Sequence, residues 1–551
     1  MSVVAPHCAR FTYDDLLSGR LTALVDLEWA GVTLHLAERD EIAPIGEGGA
    51  DVVYFAGLEW GGSMERMLDL FSDQPDSAAV DVTLHTYPRL VVPDLIAAGY
   101  PLGGARARFR WWLRGTDRVM TVVDGRLRDP SWDVSPLPIV GTIEEAPFRD
   151  EGQWPPASHV VNATTWPSHD DAIAGERYPT ILGAPGHTFG SSEMVATPAL
   201  YVEVDAITPR HLLLVAGHHV DAAGSQIGIW NRSDPVSADF ITVENIWDGN
   251  GVPVAVVDLQ GSSVTIAEGD KYWAVWHSAA PFSPRYGLID GGEVVKTAYQ
   301  ALRWWLRRST VRWDAGRVAA LSSVLSAYTI DCYAMATPDT RITPYHWIQD
   351  HLLPILPISA QFGPQGLYYV QWDYYADSTH SVLDVVEGLN AERVGAVGTT
   401  DLDDVCATIV VSYLHDADKG EHNGRIVLSG DPVVLDTDAD ATPDLYLRRT
   451  FQQYATTRSI TIETEVVEDA ATAGRIAQWH ARRYGAQSYR MAYTIQAPLI
   501  ASHYPGAVVR VTDTDRGFSE RVALVESLLY EAQNRIEAVL VMPAMDSGHP
   551  A

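Results

Sequence analysis

The segment LDTDADATPD places Asp436, Asp438, Asp440 and Asp444 at positions one, three, five and nine of a calcium-loop count, and hard oxygen ligands at that spacing suit calcium. Position six is Ala441 where such a loop turns on glycine, and position twelve is Leu447 where it needs a bidentate glutamate. The run therefore reads as an acidic β-connection. His218 and His219 are adjacent in the strand-like run HLLLVAGHHV, so they point to opposite faces and do not share one metal without a bulge. His169, Asp170 and Asp171 fall in a proline-bounded loop and read as a solvated turn. Cys8, Cys332 and Cys406 lie far apart, with neither CxxC spacing nor a Cys/His cluster, and read as buried thiols. HExxH, GxSxG, Walker A and GxGxxG signatures do not occur in the required context. A glycosidase carboxylate pair has no fixed spacing, so that class is not excluded by motif. No catalytic, cofactor-binding or metal-binding residue is assigned, and no cofactor is expected.

Basic residues stand out against this background. The pentapeptide RWWLR occurs at Arg110 to Arg114 and again at Arg303 to Arg307. Around the first copy, Ala105, Ala107, Phe109, Trp111 and Leu113 alternate with Arg106, Arg108, Arg110, Trp112 and Arg114, a period of two that predicts a strand with one apolar and one arginine-rich face. Around the second, Val295, Ala298, Leu302, Trp305 and Leu306 recur at helical spacing. The flanks differ in period, so the recurrence is a coincidence of letters rather than a structural repeat. The Arg106/Arg108/Arg110 face is expected to meet an acidic neighbouring subunit or to line a conduit, and the cluster Arg303, Arg307, Arg308 and Arg312 to lie at subunit or lumen contacts or to pair with carboxylates of its own or a neighbouring subunit. A grip on translocating DNA is the competing reading.

The bulk numbers weigh against general nucleic-acid binding. With 39 Lys+Arg and 71 Asp+Glu in 551 residues, the formal charge is 39 − 71 = −32, which repels a phosphate backbone over most of the surface. A hydrophobic fraction of 46%, with 17 Trp and 24 Tyr, describes a folded chain rather than a disordered one. The length implies several domains. MSVVAPHCARFTYDD has no basic stretch followed by an apolar one, and no window supplies the apolar length a spanning helix needs, so a secretory leader and a membrane-spanning segment are not expected.

The elements that must position these residues read as α+β, predominantly β, and multidomain, with tube-like β-barrel domains and a helical central region. Residues 1–150, containing LTALVDLEW, VTLHLAE, VVYFAGLEW, AVDVTLHTY, the arginine hairpin and LPIVGTIEEAPF, are expected as a closed or nearly closed barrel. Residues 151–285 are read as a second β-domain with a proline-rich entry loop. Residues 286–385 carry the helical patterns GEVVKTAYQALRWWLRR, DAGRVAALSSVLSAY and TPYHWIQDHLLPILP, with Asp314 and Thr343 as N-caps. Residues 386–551 are read as β-rich with one helix, EDAATAGRIAQWHARRYG.

Several strings, taken in order, resemble the tail baseplate hub proteins of bacteriophages and gene-transfer-agent-like particles. They are the hairpin WWLRGTDRVMTVVDGRLRDPSWD leading to LPIVGTIEEAPF, then GERYPTILGAPG, then HLLPILPISAQFGPQGLYYVQWD. Last comes VVEDAATAGRIAQWHARRYG followed by PGAVVRVTD, where Ala507 stands in place of the acidic residue of the family pattern. The resemblance implies a non-enzymatic virion component, a homotrimeric ring at the tail tip that continues the tail tube and adapts its symmetry. Its implied partners are the distal tail protein and other baseplate proteins, the tape-measure protein, and tail fibre, spike or receptor-binding proteins, with transient passage of phage DNA. Assembly would take place in the host cytoplasm. The competing class is a tail-tip cell-wall or polysaccharide hydrolase, or a carbohydrate-binding module, suggested by the Trp and Tyr content.

Overall fold

The computed structural model describes residues 21–46, 49–61, 63–67, 78–85, 98–115, 117, 119–131, 138–145, 154–185, 187–189, 193–195, 197–204, 211–220, 226–231, 240–259, 271–276, 289–290, 293–334, 342–363, 366–371, 383–416, 420–496, 505–531 and 535–543. Cys8 lies outside these residues. The architecture is α+β, predominantly β, with several sheets.

The N-terminal strands are β1 (Leu21–Trp29), β2 (Val32–Ala37), β3 (Glu41–Ala43), β4 (Val52–Ala56), β5 (Leu58–Trp60), β6 (Ser63–Met67), β7 (Ala79–Leu84), β8 (Arg106–Leu113), β9 (Val119–Ser131) and β10 (Ile139–Glu145). All but β6 form one sheet in the order β3-β4-β2-β1-β8-β9-β10-β7-β5. The run VVYFAGLEW breaks at Gly57, because its two halves pair with different neighbours, β4 beside β2 and β5 beside β7. A Cβ on Gly57 would lie 2.6 Å from the His85 carbonyl oxygen, so the corner needs glycine.

β6 leaves this sheet and pairs with the C-terminal strand Phe518–Glu531, Ser527 opposite Met67 and Glu531 opposite Ser63. The first half of that same edge pairs with Val508–Asp513. The C-terminal sheet runs Leu383–Val386, Val508–Asp513, Phe518–Glu531, Arg535–Pro543, Ser488–Gln496, Ala391–Thr399. The two sheets share one core, in which Val25, Phe109, Trp111 and Val123 meet Tyr493, Leu528, Tyr530 and Ile536. Trp111 and Tyr530 pack edge-on with ring centroids 5.5 Å apart. The two ends of the first sheet meet at the Gly57 corner, where Gly57 N donates to the Ala37 carbonyl (2.9 Å) and the Gly57 carbonyl receives from His85 N (2.7 Å), the near-closure that the sequence leads one to expect.

The second β unit is a closed barrel. Thr197–Val204, His211–Ala216, Pro253–Asp258, Phe240–Trp247, Gln226–Asn231 and Tyr272–Val275 follow one another around a closed barrel. Leu213, Val215, Ile227, Ile229, Val243 and Val257 are among the residues that fill it. The unit is an excursion from the central part, clamped at its base: Trp276 donates to the Pro185 carbonyl (2.9 Å) and Gly183 to that of Val295 (2.9 Å).

The centre carries the helices Ala298–Leu306, Ala315–Ala320, Ser322–Leu325 and Pro344–Trp347, the last continuing as a π-turn over Ile348–Leu352. Thr297 and Gln300 close a capping box, and Asp314 and Thr343 cap their helices as the sequence predicts. The hairpin of Ile358–Gly363 and Gly366–Gln371 follows. A second excursion departs between Ala391–Thr399 and Ser488–Gln496, which are neighbours in the C-terminal sheet. It is a four-stranded sheet covered by the helix Ala470–Tyr484 and clamped where Thr400 donates to the Ser488 carbonyl (2.9 Å). The region expected to hold one helix therefore holds Pro432–Thr437, Leu445–Tyr454 and Ala470–Tyr484. In Leu445–Tyr454 only Leu447 and Thr450 are buried, so its apolar stripe is too narrow to announce a helix.

Gly506, in the PGAVV string, fastens the C-terminal sheet to the central hairpin. Its φ is +88°, and a Cβ there would lie 2.3 Å from Val370 Cγ1. Gly506→Ala is expected to lower unfolding free energy by about 1–3 kcal/mol, combining positive-φ strain with overpacking. Denaturant titration checks this, and an unchanged midpoint would remove Gly506 from the joint.

Candidate functional site

Two features gather the residues singled out in the sequence: an arginine ladder on the first sheet and a polar joint where the closed barrel meets the centre. In the ladder β8 is antiparallel to β1, with Arg106 opposite Glu28, Arg108 opposite Asp26 and Arg110 opposite Leu24. Each side chain reaches diagonally. Arg110 Nη2 lies 2.9 Å from Asp26 Oδ2, Arg108 pairs with Glu28, and Arg106 Nη2 lies 3.0 Å from Asp124 Oδ2 on β9. This corrects the expectation of a subunit or lumen contact for the arginine face: it is paired inside the chain, since β1 and β9 offer carboxylates at the positions it reaches.

Asp26 is the deep end of the ladder. It is buried and accepts from Tyr54 Oη (2.7 Å), while His35 Nδ1 lies 2.7 Å from it. Burial alone would raise its carboxyl, but His35, the charge of Arg110 and the Tyr54 hydroxyl together hold it below the usual range. The same burial and the Asp26 charge push the Tyr54 hydroxyl upward. Trp112, one letter of RWWLR, packs beside this network with Leu24, Ala37, Ala43 and Tyr54.

The second RWWLR lies on the helix Ala298–Leu306, whose Trp304 and Trp305 are fully buried. The rings continue as a cluster, Trp154 to Trp304 at 5.1 Å, Trp304 to Trp305 at 4.6 Å and Trp305 to Trp347 at 4.8 Å. Arg308 lies over Trp304 at 3.9 Å and Arg303 over Tyr299 at 5.3 Å, so aromatic faces help to hold these two cations. Arg312 reaches Asp124 Oδ2 at 3.1 Å. Asp124 therefore takes one arginine from each RWWLR neighbourhood.

The polar joint is built on GERYPTILGAPG. Thr180–Leu182 pairs with Cys332–Ala334 of the centre. Tyr178 Oη donates to Asp248 Oδ2 (2.7 Å) and receives from Trp166 Nε1 (2.9 Å). Pro179 O accepts from Gly217 N (2.7 Å), and Ile181 N donates to His218 Nε2 (3.0 Å). That bond requires a neutral ring carrying its proton on Nδ1, which lies 3.1 Å from the His219 carbonyl. Burial depresses His218 to about 4. Asp331 Oδ1 receives from Ala184 N (2.7 Å); burial raises its carboxyl to about 6, and the nearby Asp469 charge adds to the rise. Gly183, at φ +67°, has no room for a Cβ beside Asp331.

The remaining candidates are engaged elsewhere. His219 Nε2 bonds the Ile246 carbonyl at 3.1 Å, and its ring meets Trp247 at 5.0 Å. His169 Nδ1 bonds the Trp166 carbonyl, and Asp170 caps the short helix Asp171–Ile173. Asp438 pairs with Arg425 at 2.7 Å, Asp444 caps Leu445–Tyr454, and Asp436 lies within the helix Pro432–Thr437. Asp436, Asp438 and Asp444 thus occupy helix and cap positions, and Asp440 sits in the turn after Asp438, its N donating to Asp438 Oδ1 (3.1 Å). Cys332 and Cys406 are buried, their thiols pushed upward by desolvation, the latter to about 12. Sequence reasoning missed Asp26, Tyr54 and Asp124. The signal was present in LVDLEW, whose two acids fall on one face of a strand at the spacing of the arginines.

No family model and no curated protein matches the chain. Among solved structures it is similar to the 43 kDa tail protein of prophage MuSo2 from Shewanella oneidensis, covering 95% of this chain and 100% of that one at 10% identity and TM-score 0.37. It is similar to the tail protein from Neisseria meningitidis MC58 over 94% of this chain and 96% of that one, at 10% identity and TM-score 0.37. A chain from the virion of a native gene transfer agent particle is similar over 72% of this chain and 93% of its own, at 13% identity and TM-score 0.39.

Asp26→Asn removes the charge that Arg110 needs and is expected to cost about 3–5 kcal/mol, the usual cost of stranding one partner of a buried pair. A loss under about 1 kcal/mol by denaturant titration would show that the ladder is not buried in the working protein. His218, depressed in the folded state, takes its proton first when unfolded. Its contribution is complete above the ordinary histidine value and is lost as pH falls toward about 4, by up to about 1.4 kcal/mol per pH unit. Asp331, raised when folded, works in the opposite sense, so the histidine is isolated by difference. His218→Gln should flatten the fall in unfolding free energy between neutral and acidic pH, and parallel curves for the two proteins would sink the assignment.

Proposed function

We propose that this chain is a structural component of a phage-type tail, a trimeric hub at the tail tip that continues the tail tube and joins the distal tail ring to a spike or receptor-binding tip. One observation carries the reading. The strings that resemble hub proteins are the strings this fold uses as joints: GERYPTILGAPG binds the closed barrel to the centre, and PGAVVRVTD presses the C-terminal sheet onto the central hairpin. HLLPILPIS receives the C-terminal helix, with His480 Nε2 2.9 Å from the Pro354 carbonyl. A protein whose shared strings hold β units at fixed angles is built to transmit position and force.

Each chain offers two β units, the closed barrel and the paired N- and C-terminal sheets. Three chains around an axis would present six such units to a sixfold tube, reconciling the two symmetries by geometry. The tape-measure protein and DNA would pass along that axis, and the net charge of −32 suits passage of DNA without adhesion.

Light scattering on the purified protein across a concentration series tests this. The expected mass is a threefold multiple of the 60.4 kDa chain that persists on dilution. A strict monomer that also fails to trimerise on isolated tails would overturn the hub reading. Release of soluble fragments from host envelopes would transfer the function to the carbohydrate class.

A further inference from the structure

His415 and His422 stand directly opposite one another on Thr408–Asp416 and Glu421–Ser429, at the end of the hairpin in the second excursion. Their ring centroids are 5.0 Å apart with the planes at 49°. His422 hydrogen-bonds the backbone of Thr464, whereas its Nε2 is buried and has no partner. The bonding nitrogen is therefore Nδ1. A ring that spends Nδ1–H on a backbone carbonyl and keeps a bare, buried Nε2 has the tautomer and support of a metal-ligating histidine.

The spacing fits. With Zn–N bonds of about 2.0–2.1 Å, each imidazole centroid stands about 3.2 Å from the metal, and a tetrahedral angle puts two such centroids about 5.2 Å apart. Glu465 is held beside them, because Thr464 N donates to Ser412 O (2.9 Å) and Leu414 N to Val467 O (3.0 Å), which lays 464–467 along the end of the strand. Its carboxylate acts on His422 and lies 4.0 Å from His351 Nδ1. Among the described residues no three such groups already surround one point. The Glu465 side chain is 43% exposed and would supply the third on rotating away from His351.

We propose that His415, His422 and Glu465 form a site for a divalent transition metal of the zinc class. The metal would pin the hairpin end to the segment that borders the π-turn Ile348–Leu352, and a water or a group from another protein would complete its tetrahedron. Borderline nitrogen ligands with one carboxylate select zinc-like ions over calcium or magnesium.

The test uses the full chain, stripped with chelator. Zn2+ is titrated calorimetrically, and Co2+ serves as a probe whose visible absorption reports tetrahedral coordination. One equivalent per chain is expected, with His415→Ala, His422→Ala and Glu465→Gln each weakening binding at least about tenfold. His346→Ala, which alters a helix-cap histidine outside the cluster, should bind as the native protein does. His422→Gln keeps the side-chain volume and serves if the alanine variant fails to fold. Absence of a one-equivalent site in the native protein, or native affinity retained in the His415 and His422 variants, would overturn the proposal.

Discussion

The fold depends on one strand edge being shared. Phe518–Glu531 gives half of its edge to Val508–Asp513 and the other half to β6, which the chain laid down more than four hundred residues earlier. This pairing brings the two outer segments together, so that their sheets share one core. The apolar face of β8 finds Tyr530 and Leu528, and the core that results belongs to both ends of the chain. Non-local pairing of this kind is costly in loop closure and is recovered only when the common core is complete, so the outer segments should gain stability together.

Charge follows the same economy. A chain with a large acidic excess has few cations, and the structure places them where strands or units meet. Arg106 and Arg312 converge on Asp124, tying β9 to the helical centre; Arg490 binds Glu526 across the C-terminal sheet; Arg393 lies 2.9 Å from Asp513, which Tyr493 also reaches. The carboxylates of these pairs are the more buried partners, so the acid is drawn inward and the guanidinium covers it at the surface. An acidic exterior over arginine-stitched joints keeps polyanions from adhering without weakening the interior.

Much of this was legible in the sequence, and what was not shares a physical reason. Period two in RARFRWWL gave the strand and its arginine face; the stripe through Leu302 and Trp305 gave the helix; Asp314 and Thr343 gave their caps. Each is decided by neighbours within a few residues. The core shared by the first and last sheets, the partners of the arginines and the order of strands in the barrel at 197–276 are decided by which distant strand arrives alongside, and hydrophobic alternation reads the same for an open sheet and a barrel. Trp304 lay off the predicted stripe yet is fully buried, because Trp154 and Arg308 cover the face the pattern assigned to solvent. Pairing of Asp26 and Glu28 with the arginines needed only the assumption that β1 and β8 are neighbours, which local sequence does not supply.

The two excursions show how such a chain can be both rigid and variable. The closed barrel leaves at Pro185 and returns by Trp276 and Val295; the four-stranded unit leaves at Thr400 and returns at Ser488. Each is clamped at its base by backbone hydrogen bonds, which are indifferent to side-chain identity. A unit held in this way can change its outward surface without disturbing the core beneath. The constraint runs in the other direction at the clamps, where Gly183 and the buried His218 and Asp331 leave little freedom. Sequence should accordingly be restricted at these joints and free on the faces they hold out.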